Sequence, residues 1–433
     1  MKKHIKLFVL LGILLVGSFS FYLFKGFKKD NMVYKDNKIK PSSSGISMMF
    51  ETEAGSGNYE MTTQSEWPTE GYVFNANLSK CENGSELSWD NENKKVLMSG
   101  NKSDKCYVYF DVYVKPQVLL ADYVKSLYTG TQGENGIYYH DANLTNGAGD
   151  NSYRYSGASD QVNNYVCFGS TQSPCSADNL YRIIGVFGDK VKLIKSDYAT
   201  TALLGADGDY SKMYTANGWD NSNYKGNNLA NIAGYAWNYK NNTTINSGQG
   251  SNTWSTSLLN KTNLNKNFIK NIGADWAAKI ADTTWKVGGN KWANIGIQPA
   301  KTAYQNEIVS PVTTNTTDNA TDYNAKVGLM YVSDYMYAAP QDKWTLVGYN
   351  SSDASKDYRA ATSVNWMYMG LLEWTLSRRA DYASFVFNVY NSGNFDNIIA
   401  KNALAVRPVF YLTSSVNYVS GSGTAADPIL VNL

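Results

Sequence analysis

The sequence predicts an α+β protein carried behind an apolar N-terminal helix, and three observations lead there. An uncharged apolar run fills residues 7–24, between clusters of lysine. Short alternating runs, "GYVFNANL", "KKVLMSG" and "CYVYFDVYV", follow up to residue 114, separated by Gly, Asn and Ser, as in small β domains. Beyond them a long remainder has strand-like segments at both ends and helical spacings between them.

The opening stretch, "MKKHIKLFVLLGILLVGSFSFYLFKGFKK", sets the first element, residues 1–29. Its apolar run approaches the length of a membrane-spanning helix and exceeds the roughly 7–15 residues of a signal-peptide core. Lysines on both sides favour a retained signal anchor, with the basic head in the cytoplasm and the C-terminal part outside. The expected location is the cell membrane, crossed once. No cysteine stands directly after the run, which excludes a lipoprotein anchor. Residues 30–45, "DNMVYKDNKIKPSSSG", lack periodicity and read as a stalk.

Residues 46–116 read as a small antiparallel β domain. The four cysteines fall in two local pairs, Cys81 with Cys106 and Cys167 with Cys175, and an extracytoplasmic placement favours two disulfides over free thiols or metal. Neither pair has the C-x-x-C spacing of a zinc site. Residues 117–130 place Val118, Leu119, Ala121, Val124 and Leu127 near helical spacing, so a connecting helix is expected before Gly130. The remainder, residues 131–433, contains a hairpin signal in "LYRIIGVFGDKVKLIKSDY", where two apolar runs flank Gly188 and Asp189. Helical spacing follows in "WSTSLLNKTNLNKNFIKNIG" and "GLMYVSDYMYAAP", and late strands in "FVFNVYNSG" and "AVRPVFYLT". Long Asn-, Gly-, Ser- and Tyr-rich stretches between them must be large loops.

Taken together, "LYRIIGVF", "WSTSLLNKTNLNKNF", "NWMYMGLLEWTLSRR" and "ALAVRPVFYL" resemble the C-type-lectin-like domains related to formylglycine-generating enzyme. Such domains occur in membrane-anchored surface proteins of low-GC Gram-positive bacteria, and the likeness spans roughly residues 179–413. It implies a loop-rich, C-type-lectin-like α+β domain with an early strand beside the last one. The family's cysteine chemistry is excluded, because no cysteine follows Cys175. Its calcium sugar motifs are missing as well: only Gln298-Pro299-Ala300 and Trp219-Asp220-Asn221 come near them.

Composition narrows the function. Lys+Arg 39 against Asp+Glu 37 gives a net charge of +2, which offers a nucleic-acid backbone no attraction. Within "LLEWTLSRRADYASFVFNVYNSGNFD", the residues Arg378, Arg379 and Asp381 could receive a carboxylate or sugar hydroxyls bidentately. The preferred reading pairs one arginine with Glu373 or Asp381 to hold a loop beside the core. Arg407 reads as a structural arginine with a buried partner. His140, in "YYHDAN", reads as a surface histidine. Asp207 and Asp209 read as a turn, since the full calcium-loop pattern is absent.

Aromatic residues among Asn, Gly and Thr stand out: Trp219, Tyr224, Tyr235, Trp237, Tyr239 and Trp254. Exposed, they would stack on sugar rings; buried, they would weld long loops together. Trp237, Tyr239 and Trp254 are the aromatic ligand candidates. The expected function is a surface protein that binds glycan or protein without catalysis, cofactor or metal. The alternatives are an enzyme acting on extracytoplasmic polymer through Glu373 and Asp381, or a structural envelope component.

Overall fold

The computed structural model describes residues 45–433 apart from 102, 115, 215–220, 240–247, 296–297 and 313–319. The signal anchor, nearly all of the stalk, and Trp219 lie outside the described residues. Among the described residues no helix is long and apolar enough to cross a membrane. The chain forms two compact units, one ending at Pro116 and the other Gln117–Leu433.

In the first unit, alternation buries one face of strand Cys106–Val112: Cys106, Val108 and Phe110 point inward while the residues between them are half-buried. Strand Ile46–Glu51 lies parallel beside it, with Ile46 opposite Cys106 and Phe50 opposite Phe110. The expectation of a purely antiparallel domain is thus corrected at its central pair. These strands are the first and last of the unit, so a long crossover joins them and parallel pairing becomes available. Met48, Val96, Val108 and Phe110 form the core, with Phe50, Trp67, Tyr72, Phe74 and Trp89 packed around it. A disulfide joins Cys81 to Cys106, and a second joins Cys167 to Cys175 in the other unit. By loop-closure entropy each contributes roughly 3 kcal/mol.

The second unit overturns the α+β expectation. Among its described residues it is mostly β, built on a ten-stranded sheet and a four-stranded sheet, with only short helices. The longest helical run, Leu259–Phe268, has ten residues with π-type hydrogen bonding and continues into Ile269–Asn271. The reason is compositional: Asn, Gly, Ser and Thr compete for backbone hydrogen bonds and break helices within a turn or two. Helix Leu120–Ser126 buries Leu120, Ala121 and Val124. Helix Val332–Tyr337 is buried on every side.

Strands Leu180–Phe187 and Lys190–Lys195 form the hairpin at the centre of the large sheet. Gly188 adopts the positive φ of 65° that its tight connection requires. Strand Val409–Tyr411 pairs with Lys190–Lys195, and strand Ile429–Val431 runs parallel to Tyr165–Cys167, so late segments close the sheet on early ones. Pro408 stands just before its strand, where the missing N–H costs no ladder bond.

The four-stranded sheet holds the stretch 371–396. Glu373–Arg379 pairs antiparallel with Phe385–Val389, which pairs with Phe395–Ile399. On its other side Gly289–Asn290 runs parallel to it. Only glycine fits at Gly289, because a Cβ there would lie 1.6 Å from the Arg378 carbonyl oxygen.

Glu373 and Arg407 form a wholly buried ion pair at this junction. Arg407 Nε donates to Oε1 at 2.7 Å, and Nη2 donates to Oε2 at 2.8 Å and to the Met367 carbonyl at 2.7 Å. Burial pushes the Glu373 carboxyl up, and the arginine pulls it back by charge and hydrogen bonds. Glu373→Ala should cost about 3–5 kcal/mol, because it strands a buried guanidinium. The double substitution Glu373→Leu/Arg407→Met should cost far less. Urea unfolding of the three chains checks the ordering.

Candidate functional site

The stacking aromatics expected from the sequence divide sharply. Trp237 is fully buried, with its Nε1 donating to the Thr375 carbonyl at 3.0 Å. Trp254 is buried against it, ring centroids 4.7 Å apart. Neither ring can meet a ligand, which corrects the expectation for both: these indoles are part of the hydrophobic core. Tyr239 is 54% exposed, and Lys401 Nζ sits 4.9 Å from its ring centre. Asp209, beside it, accepts backbone N–H groups of Leu258, Leu259 and Tyr239.

Arg378 is also removed from any surface role. It is 1% exposed and donates from Nη2 to the Ala320 carbonyl. Arg379 and Asp381 pair bidentately, Nε to Oδ1 at 2.7 Å and Nη2 to Oδ2 at 3.2 Å. Burial alone would raise the Asp381 carboxyl, but the arginine's hydrogen bond and charge hold it below the usual value. His140, expected at the surface, is buried between Tyr337 and Trp344, with Nδ1 accepting the Ala148 N–H at 3.0 Å. The carboxylate pair expected of an enzyme is not assembled, since Glu373 belongs to Arg407 and Asp381 to Arg379. The cluster Cys81, Asp104 and Cys106 is no metal centre, because its two sulfurs are bonded to each other.

What the Arg379–Asp381 pair does hold is the edge of a cleft. Asp381 accepts the Trp292 backbone N–H at 3.4 Å, and Arg379 Nη1 donates to Asn397 at 2.9 Å. The pair therefore ties the helix bearing Trp292 to strand Phe395–Ile399. Between them opens a cleft of about 440 Å³ lined by Trp292, Tyr349, Arg359, Tyr390, Asn394 and Asp396, among others.

Each wall has a local cause. Tyr390 and Asn394 belong to the hairpin turn after Phe385–Val389, closed by Tyr390 N–H to the Asn394 carbonyl at 2.7 Å, with Gly393 at φ 94°. Phe395 N–H donates to the Gly348 carbonyl at 2.9 Å, and Gly348 N–H donates to the Ile295 carbonyl at 2.8 Å, so three separate segments meet here. Trp292 lies near-parallel to Tyr349 and to Phe387, at 6.1 and 6.3 Å between ring centres. Arg359 is clamped by the buried Asp357 and passes 5.5 Å from the Tyr349 ring centre.

The chemistry of the cleft lies in its unused groups. Asp396 Oδ1 accepts the Asn397 N–H at 2.7 Å, while Oδ2 has no partner among the described residues. Burial pushes this carboxyl up. Asn388, directly across the ladder from Asp396, is 1% exposed with neither amide atom partnered among the described residues, but it lies inside the sheet packing and does not line the cleft. Such buried, unsatisfied polar groups cost stability unless something else binds them. The phenol groups of Tyr349 and Tyr390 are likewise without partners among the described residues. An aromatic shelf beside a carboxylate suits a polyhydroxylated ligand.

No protein-family model matches the chain, and neither a curated protein nor a solved structure does. The resemblance to lectin-like domains rests on the quoted residues alone.

Glu307 has a perturbed carboxyl, yet it serves the core. It is fully buried and accepts from Ser377 Oγ, the Ser333 N–H and Asn290 Nδ2. Burial raises its carboxyl to about 7, against the pull of those serines. A raised carboxyl favours folding below its unfolded value near 4.5 and loses that contribution as pH climbs towards 7, on the order of 3 kcal/mol. His140, buried neutral, gives the opposite slope below its ordinary value of 6.5. The wild-type minus E307Q difference in urea unfolding should therefore shrink between pH 5 and 7.5. A constant difference would refute the assignment. Trp237→Ala should cost about 3–5 kcal/mol as a core cavity, seen in the same unfolding experiment.

Proposed function

We propose that this chain is a membrane-anchored surface protein that recognises glycan in the Trp292–Asp396 cleft, without catalysing a reaction. The apolar N-terminal run supplies the anchor in this reading, and the two disulfides suit an oxidising exterior. The observation that carries it is the near-parallel Trp292–Tyr349 pair beside an unengaged carboxylate oxygen of Asp396 in one cleft. A sugar ring offers an apolar face to the stack and hydroxyls to Asp396 and Tyr390.

The test is a glycan array probed with the full-length oxidised chain in detergent, with calcium and with chelator. Saturable, calcium-independent binding is expected. Trp292→Ala and Asp396→Asn should each weaken it by roughly tenfold or more, the scale of a lost stacking contact or charged hydrogen bond. Binding that survives both substitutions in chains of native circular dichroism would place recognition elsewhere.

A further inference from the structure

We infer that a second cleft, of about 330 Å³ beside the Cys167–Cys175 loop, binds a monosaccharide-sized carboxylic acid whose carboxylate is received by Lys195. Gly169, Ala177, Asp178 and Asn179, on and after that loop, form one wall, and Lys195 lies at the end of its strand against them. This inference concerns a different site from the Trp292–Asp396 cleft and stands without it.

The argument starts from charge. The buried cations Lys192, Arg154 and Arg407 have carboxylate partners, at 2.6, 2.6 and 2.7 Å. Arg182 lacks one, but Asn164, Ser159 and backbone carbonyls fill its guanidinium between the rings of Tyr165 and Trp366. Lys195 differs from these four. It is 4% exposed, and its Nζ donates only to two neutral carbonyls, Ala177 at 2.9 Å and Leu180 at 3.2 Å. An ammonium has three protons, so one is left unclaimed by a carbonyl, beside the Tyr181 ring, which lies 5.4 Å from Nζ and also lines the cleft. A buried cation with no carboxylate in direct ion-pair contact is costly, and a ligand carboxylate would supply that contact.

The remaining walls describe the rest of the ligand. Asn227 and Asn231 line the cleft with side-chain amides that have no partner among the described residues, each offering donors and an acceptor to hydroxyls. The Asp197 carboxylate is occupied by the Tyr198 N–H, the Tyr224 hydroxyl and the Asn227 N–H. With Asp178 and Asp197 close by, a doubly charged phosphate is opposed more strongly than a single carboxylate. The volume is at the small end of ligand pockets, which span roughly 300–1,000 Å³.

The pH dependence follows. Burial lowers the Lys195 ammonium to about 8; Asp197 and Asp178 pull it up, and Arg407 pushes it down. Tyr181 and Tyr198, which also face it, ionise far above that range. The receptive, protonated form is therefore present below about pH 8 and lost above it.

The experiment is calorimetric titration of the full-length oxidised chain with glucuronate, and with glucose as the neutral comparator. Saturable glucuronate binding at pH 7 is expected, with glucose weaker by roughly tenfold or more. Affinity should be flat from pH 6 to 7.5 and fall between pH 8 and 9.5. K195M should weaken binding by roughly tenfold, and N231D, an exposed rim change compatible with folding, should weaken it in the same direction by charge repulsion. The inference is overturned if glucuronate does not bind the wild-type chain, if glucose binds as well, or if N231D or a natively folded K195M binds like wild type.

Discussion

The second unit is organised around a buried ion pair between Glu373 and Arg407. Two opposite charges taken fully out of water tolerate one geometry only, because any displacement leaves each with a large desolvation cost. Here that geometry joins the first residue of the central strand of the four-stranded sheet to the segment entering the large sheet at Val409. The backbone confirms the seam: Trp374 N–H donates to the Ala405 carbonyl at 3.1 Å, and Ala405 N–H to the Leu372 carbonyl at 3.0 Å. Trp374 Nε1 then reaches the Tyr235 carbonyl at 2.8 Å, bringing a third small sheet to the same point.

The same logic recurs outward from that seam. Lys192 in the large sheet is held by Asp334 in helix Val332–Tyr337, and Asp334 also caps that helix by accepting the Tyr331 N–H. Arg154 is locked to Asp150, which the Tyr304 hydroxyl also contacts. Paired charges such as these specify which segments meet, where an apolar contact of similar size would tolerate sliding. A protein whose loops are rich in Asn, Gly and Ser needs such fixed points, since its loops have little apolar surface to bury.

Both clefts are placed by this frame and furnished by loops. Trp292 and Asp396 come from segments that Arg379 and Asp381 fasten together, so the two residues first noticed as a possible ligand fork act as the fastening. Lys195 sits at a strand end of the central hairpin, where a stiff backbone holds its ammonium against two carbonyls. Recognition groups on loops, held by a rigid sheet, are a common division of labour.

Much of the fold was legible. Gly188 and Asp189 between apolar runs announced the central hairpin, and the spacing of four cysteines in a chain with an apolar leader announced two local disulfides. The parallel pairing of Ile46–Glu51 with Cys106–Val112 was not legible, because strand direction depends on which distant segments meet. The shortness of the helices was misread for a similar reason: apolar spacing is local, while the Asn-rich surroundings end each helix early.

Of the candidate site, the stretch through Asp396 was in view, but its use was not. A tryptophan in an Asn- and Gly-rich context looks alike whether it faces solvent, as a sugar shelf requires, or a neighbouring indole, as Trp237 does. By itself the sequence determined the residue types, the strand alternation and the absence of a strong charge bias, since these follow from local chemistry. Only the tertiary structure decided which arginine meets which carboxylate, which aromatic rings are buried, and that Trp292, Tyr349 and Asp396 share one cleft. Burial and pairing are properties of segments far apart in the chain, and their energies exist only once those segments are brought together.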